Sequence, residues 1–360
     1  RKLYTMKLLT LGDFFKVKFG KRTELVASIF TLYTEKVNPD FFQDVLQFVI
    51  SRFTIDTHIY FAVIALLLGF FVAKIVASLR DYLDENSTYS FISFLLILFV
   101  IVLLAPSRIG SFRHYFASVV FIYSVYQYFI TNKKKYLIWL LFPAIIHFAY
   151  LMILPVMIIH NLVGHRIILY YILIALSFIF YKQTAQLVNE TAGNYETYTI
   201  SKKAQDYSNQ RYLLKVSKIK EKRIYILDKY TYITTIAFLG LSIFFFYFFK
   251  QEDRATVNLY CLSLLMFFLI NLFQSLESVF NRFGVVFQVI CCMTLIRTIS
   301  WKRIRIPNVV FIVLLLLFVV NAVIAIRFYI QYASVSSILI GLPIALYDPL
   351  EVTVLEFFFR

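Results

Sequence analysis

Nine apolar runs alternate with shorter polar segments along this chain: 59–79, 90–106, 113–130, 136–160, 166–181, 231–249, 257–274, 283–299 and 308–330. Each is about the length that carries a helix across ~30 Å of hydrocarbon. None alternates apolar and polar residues, and an open strand edge finds no hydrogen bonds in lipid, so all are expected to be helices. The expected fold class is all-α: a polytopic transmembrane helix bundle with interfacial amphipathic helices and a re-entrant helix pair. Residues 1–58 carry a different pattern. Leu8, Leu9 and Leu11, then Phe41, Phe42, Val45, Leu46, Phe48 and Val49, recur at helical spacing among polar residues. That pattern marks short helices lying on a membrane surface. Asn38-Pro39-Asp40 reads as a turn and helix start. The chain divides into an outer-face interfacial segment (1–58), a first membrane bundle (59–181), a large outer loop (182–230), a second bundle (231–330) and an outer-face C-terminal segment (331–360).

Basic residues in short loops set the orientation. Lys133-Lys134-Lys135 and the Arg297, Lys302, Arg303, Arg305 cluster mark the cytoplasmic side. Five apolar runs lie between them, whereas two cytoplasmic ends require an even number of crossings. Run 136–160 is the suspect: Pro143 and Pro155 break it, His147 lies near its middle, and His165-Arg166 follows. As a re-entrant pair of half-helices it returns to the cytoplasmic side and the topology closes. A broken helix at membrane depth is tolerated where it lines a buried or wet cavity, which suits a site residue at the break. The alternative is one complete crossing with Arg166 outside. In the re-entrant arrangement 1–58, 106–112, 182–230, 275–282 and 331–360 are outside, and loops 80–89 and 250–256 inside. Segment 182–230 opposes this on charge, with 10 Lys/Arg against 5 Asp/Glu. Long loops obey the rule poorly, however, and a basic outer loop suits a phosphate-bearing lipid.

Composition agrees with a membrane bundle. The 360 residues are 61% hydrophobic and 16% charged, with mean hydropathy +0.76, against about a quarter charged in a soluble domain. Aromatics at 19% exceed what a water-soluble core needs and suggest lipid-facing surfaces and interfacial belts. The net charge of +16 is split among short loops, so it points to topology, anionic headgroups or a phosphorylated substrate, and not to nucleic acid. Cys261, Cys291 and Cys292 lie inside apolar runs without metal-ligand spacing and read as packing residues. No Walker loop, GxGxxG, HExxH or CxxC occurs, so ATP-driven transport, Rossmann cofactors and zinc hydrolysis have no support.

Charged and imidazole groups at the ends of apolar runs, or inside them, are costly, and each is a candidate site residue. Arg113 opens a run in Arg108-Ile-Gly-Ser-Phe-Arg113-His114-Tyr-Phe-Ala117. It either snorkels to headgroups or aims a planar fork at phosphate oxygens in an outer cavity. His147 is either a structural imidazole satisfied by a carbonyl, or a base or donor exposed by the helix break. Arg282 follows Glu277 by five residues across an expected turn at the start of the next run, so the two either pair or act. Arg327, near the end of the last run, either snorkels or adds a further cation. In 182–230 the stretch Ser201–Tyr230 reads as a helix with Tyr207, Arg211 and Leu214 on one stripe. Asp56-Thr-His58 reads as a solvated helix start.

At Arg113, His147 and Arg282 the chain resembles the EpsG-like, Wzy-type bacterial polysaccharide polymerases. Arg113-His-Tyr-Phe-Ala117 is similar to that family's Arg-Gln-x-x-Ala element, with His114 where Gln is usual. Ile145-Ile-His147-Phe-Ala149 is similar to its Ile-His-x-Ser-Ala element, with Ala149-Tyr150 in place of Ser-Ala. Arg282-Phe-Gly284 is similar to its late Arg-x-x-x-Tyr/Phe element. The likeness runs from about residue 35 to 345, and implies a further helix before Arg1.

The resemblance implies a C-type membrane glycosyltransferase that uses no cofactor, nucleotide sugar or metal. Its donor and acceptor are both oligosaccharides linked to undecaprenyl pyrophosphate, and the glycan passes to a sugar hydroxyl of the second repeat unit. Matched to that reaction's demand for fixed positive charge and a base, the expected catalytic residues are His147, Arg113, Arg282 and Glu277, and the expected substrate-binding residues Arg108, His114, Arg211 and Arg327. The Phe-rich run 238–249 is the expected lining of a lateral opening for lipid tails. Membrane lipids and a chain-length regulator are the further partners. The expected location is the bacterial cytoplasmic membrane, with the site facing outward. Competing classes are an O-antigen-type ligase, a membrane O-acyltransferase and a lipid-linked oligosaccharide flippase. The flippase lacks support because the chain shows no paired helical halves.

Overall fold

The computed structural model describes residues 41–53, 57–86, 90–105, 112–193, 225–248, 253–274, 277–302 and 307–332. These residues form helices and short turns, with no strand among them. The helices are α1 (Phe41–Ser51), α2 (Thr57–Glu85), α3 (Phe91–Leu103), α4 (Phe112–Thr131), α5 (Lys135–Trp139), α6 (Phe142–Ile146), α7 (Ile153–Val163), α8 (Ile167–Gly193), α9 (Tyr225–Phe248), α10 (Arg254–Leu272), α11 (Glu277–Lys302) and α12 (Asn308–Tyr332). A 3₁₀ turn, Phe148–Met152, joins α6 to α7. Segments Ala62–Glu85, Thr231–Phe248, Arg254–Leu272, Val279–Ser300 and Asn308–Arg327 are long and apolar enough to cross a membrane.

Side-chain contacts fix the directions of the helices. Tyr82, late in α2, lies under the guanidinium of Arg297, late in α11. Tyr115, early in α4, donates to the carbonyl of Leu104 at the end of α3. Phe91 and Phe311 meet at the starts of α3 and α12. Tyr232, early in α9, meets Phe280, early in α11, whereas Phe246, late in α9, stacks on Tyr260, early in α10. Asn271, at the end of α10, donates to Ser177, well along α8. So α2, α4, α9 and α11 run one way and α3, α8, α10 and α12 the other. The bundle has an Arg113 end, where α4 and α11 start, and an Arg297 end, where they finish.

Between α4 and α8 the chain does not traverse. It leaves the Arg297 end at Asn132, passes Tyr123 with the Tyr136 ring, and turns at His147–Tyr150 opposite Ser118 near the start of α4. It returns to His160, whose ring lies 5.0 Å from Phe129 at the end of α4. Asn132, Gly164 and His165 then line one cavity at the Arg297 end. The re-entrant reading of 136–160 therefore holds and a complete crossing does not. Local chemistry explains the shape. Pro143 and Pro155 each sit in the first turn of a helix, α6 and α7, where a missing N–H leaves no intrahelical bond unmade. Between them His147 adopts extended backbone (φ −147°, ψ 118°), which interrupts the ladder. At the hairpin's two feet Asn132 (φ 53°) and Gly164 (φ 62°, ψ −132°) take positive φ where the chain reverses.

The core is α10 and α11. Cys261, Cys291 and Cys292 are free thiols wholly buried there, the packing role expected of them. Helices α2, α9 and α12 are peripheral and present Leu66, Phe70, Ile233, Leu316 and Val323 outward. In lipid such packing rests on close contact and interhelical hydrogen bonds more than on water exclusion. Gln288 of α11 donates to Thr234 and Thr235 of α9, both at 3.1 Å, and supplies such a bond.

Three expectations change. Arg297, counted as a loop marker of sidedness, is only 5% exposed and pairs with Asp253. The expected loop before Arg282 is helix, since α11 begins at Glu277. The Phe-rich run 238–249 serves packing in part: Phe238 stacks on Phe99, Phe246 stacks on Tyr260 and Phe245 is fully buried, whereas Tyr247 and Phe248 are exposed. An apolar groove of about 530 Å³ opens instead between α2, α3 and α12, lined by Leu68, Val72, Ile101, Leu104, Tyr115 and Ala325.

Candidate active site

Three separate elements meet at the Arg113 end. The first turn of α4 contributes His114, the apex of the hairpin contributes His147 and Tyr150, and α11 contributes Arg282 and Phe283. The His114 and His147 rings lie 5.4 Å apart, edge to face. His114 also lies 5.2 Å from the rings of both Tyr150 and Phe283, and these two are 5.1 Å from each other. His114 is fully buried, and neither of its ring nitrogens has a hydrogen bond of ordinary geometry among the described residues. The charge of Arg282 reaches both His114 and Tyr150, and its backbone lies beside the His114 ring.

The apex is anchored from below. Tyr150 and Ser118 hydroxyls meet at 2.5 Å, and Ser118 also donates to the His114 carbonyl at 2.8 Å. His147 is held by its own backbone. Its N–H donates to Pro143 O, and its carbonyl accepts from Tyr150 N, each at 2.9 Å. The imidazole thus stands on a break with hydrogen bonds on both sides, half-buried, while His114 beneath it is sealed in.

Of the residues singled out in the sequence, the structure brings together His147, His114 and Arg282. Arg113 is half-buried in the first turn of α4, immediately before His114. Glu277 and Arg282 occupy one helix five positions apart, outside the three- or four-residue spacing that makes neighbours on a helix surface. The Glu277 side chain lies outside the described residues. So do Arg108, Arg211, Asp56, Arg303, Arg305, the interfacial segment before Phe41 and residues 201–224 of the helix expected over Ser201–Tyr230, whose last six residues open α9. Arg327 sits at the Arg113 end of α12 with its side chain exposed, and no described contact joins it to the imidazoles. Among the described residues no cluster of three or more His, Cys, Asp or Glu is placed to hold a metal ion.

A family model, that of the EpsG family, matches residues 16–335. The chain belongs to the EpsG family. No curated protein and no solved structure matches it. This EpsG-family protein is a multi-pass membrane protein of polysaccharide biosynthesis. Two of the positions at which the EpsG-family chain departs from the motifs quoted above, His114 and Tyr150, touch each other. Sequence reasoning did not single out Ser118 or Phe283, nor Tyr150 except as a departure. A signal existed for Ser118, which lies four residues after His114 on the same helix face. Phe283 carried none, because an aromatic within an apolar run looks like every other one.

Proposed function

We propose that this EpsG-family protein is a polysaccharide polymerase, with its site at the Arg113 end of the bundle facing the outside of the cytoplasmic membrane. The donor is an oligosaccharide on undecaprenyl pyrophosphate; the acceptor is a sugar hydroxyl of a second lipid-linked repeat unit. The observation that carries this reading is the convergence of His147, His114 and Arg282 from three elements, with the half-buried Arg113 in the same turn as His114.

In the reaction the acceptor oxygen bonds to the donor's anomeric carbon while the bond from that carbon to the pyrophosphate oxygen breaks. The leaving lipid pyrophosphate keeps the electron pair. Its charge is met by the guanidinium groups of Arg113 and Arg282 in a low-dielectric pocket, where fixed charge acts more strongly than in water. The acceptor's proton passes to His147, the imidazole best placed at the break; Glu277 is the second choice for that base. His114, sealed behind His147, sets the position of the first imidazole. Arg108, Arg211 and Arg327 are assigned to holding substrate phosphate and sugar. The groove between α2, α3 and α12 takes a lipid tail, since its lining is apolar and includes Tyr115, the residue immediately after His114 on α4.

The test supplies purified protein with defined lipid-linked repeat units and resolves the products by size. A ladder is expected from the native chain. Replacing His147 or Arg282 with Ala lowers its rate by about 100-fold or more. Full polymerisation by Arg113→Ala or His147→Ala removes this assignment, and single-unit transfer to a different acceptor identifies a ligase instead.

A further inference from the structure

At the Arg297 end, remote from the imidazoles, the feet of the hairpin and the start of α10 enclose a cavity of about 500 Å³. Its walls carry Asn132, Asn161, His165, Asn258 and Arg254 over a floor that includes Phe129. A volume in the range of about 300–1,000 Å³ with convergent polar groups is that of a ligand site. Helix geometry separates it from the candidate active site. Phe129 follows His114 by fifteen residues on α4, and Arg297 follows Arg282 by fifteen on α11, which at 1.5 Å per residue is roughly 22 Å in both helices.

The electrostatics select the ligand. The one acid of the lining, Asp253, is already bound by Arg297, with Nη2 to Oδ2 at 2.7 Å, and caps α10 through Thr256 N at 3.1 Å. It therefore adds little free negative charge. Arg254 is exposed on the lining itself, and exposed Lys133, Lys134 and Arg166 flank Asn132 and His165. His165 Nε2 and Asn258 Oδ1 are joined at 2.7 Å. That leaves the Asn258 amide nitrogen, the other His165 nitrogen and the amides of Asn132 and Asn161 to offer donors and acceptors beside these cations. A bare inorganic anion would use only the former; a hydroxylated ligand with a phosphate uses both. Basic pockets between membrane helices on the side that attracts Lys and Arg take such headgroups.

We propose that this cavity binds a phosphorylated polyol, the chemistry shared by an anionic glycerophospholipid headgroup and by soluble polyol phosphates. The site is independent of the polymerase reading, because it lies at the other end of the bundle and its test is a binding measurement.

The experiment titrates the purified protein in neutral detergent with four probes: short-chain phosphatidylglycerol, phosphatidylcholine of equal chain length, glycerol phosphate, and inorganic phosphate. The melting temperature is the readout. Phosphatidylglycerol is expected to raise it and phosphatidylcholine not. A shift with phosphatidylglycerol alone assigns the lipid source, and an equal shift with glycerol phosphate assigns the soluble one. The double variant Lys134→Gln, Arg254→Gln is expected to bind about 25-fold more weakly, about fivefold per charge. Its ligand-free melting point stays unchanged, and Arg52→Gln, at the opposite end, binds as the native chain does. If the double variant melts early without ligand, Arg166→Gln replaces it and is expected to lose about fivefold. The proposal is overturned by equal shifts with phosphatidylcholine, by the absence of any shift, or by phosphatidylglycerol binding that these variants leave untouched.

Discussion

Two hydroxyls decide how firmly the imidazole at the hairpin apex is held. Ser118 has a second partner, the His114 carbonyl, whereas Tyr150 depends on Ser118. The two single substitutions should therefore differ. Ser118→Ala leaves a buried phenol unsatisfied and costs ~1–3 kcal/mol, while Tyr150→Phe leaves Ser118 bonded and costs ~1 kcal/mol or less. Melting temperatures in detergent give the order, and a larger loss from Tyr150→Phe would refute this account of the anchor. At the other end, burial pushes the Asp253 carboxyl up, but Arg297 and the hydrogen bonds from Thr256 outweigh it, and the group ends below the usual carboxylate range. A carboxyl depressed by folding contributes stability that is present above its unfolded value, about 3.9, and lost as pH falls through the folded one. Acid should thus lower the melting point of the native chain below about pH 4, and Asp253→Asn should flatten that limb. Parallel acid limbs would remove Asp253 from the account. Removing the carboxylate altogether, as Asp253→Ala, strands a buried guanidinium and should cost about 3 kcal/mol or more.

Among the elements, the hairpin was the part most nearly legible. Two prolines and a central histidine in one apolar run said that the run was broken, and loop charge said that it did not cross. Where the break fell was not legible: both prolines turned out to start helices, and the interruption lies at His147, which carries no intrinsic breaker. Arg282 was placed a turn and a half too near its helix start for a related reason. Polar Glu277, Ser278 and Asn281 read as loop, although the first turns of a helix tolerate them. Arg297 was misread because a guanidinium near a run of Lys and Arg looks solvated, and its partner Asp253 is forty-four residues away. The hairpin makes a direct prediction. Cysteines placed at Lys134 and Arg166 should both react with an impermeant maleimide from one side of the membrane, against a silent background, since the three native thiols are buried. Labelling from opposite sides would restore the single crossing.

On the scale of the whole molecule, the alternating directions of the described helices α2, α3, α4, α8, α9, α10, α11 and α12 put the end of α8 and the start of α9 at the Arg113 end. An epitope inserted between residues 194 and 224 should be exposed on the face opposite Lys134. Detection on the Lys134 face would break the alternation of helix directions from α4 to α9. Against nine apolar runs, five described helices are long and apolar enough to cross. The helical class was readable because length and apolarity in lipid leave few alternatives. The contacts that build the site were not, because they join residues separated by more than thirty and more than a hundred positions.

The hairpin adds nothing to the crossing count. Lengthening, shortening or exchanging its tip leaves the side of every later loop as it was. His147 is therefore carried on a part of the chain that can change without re-threading the rest of the protein through the bilayer.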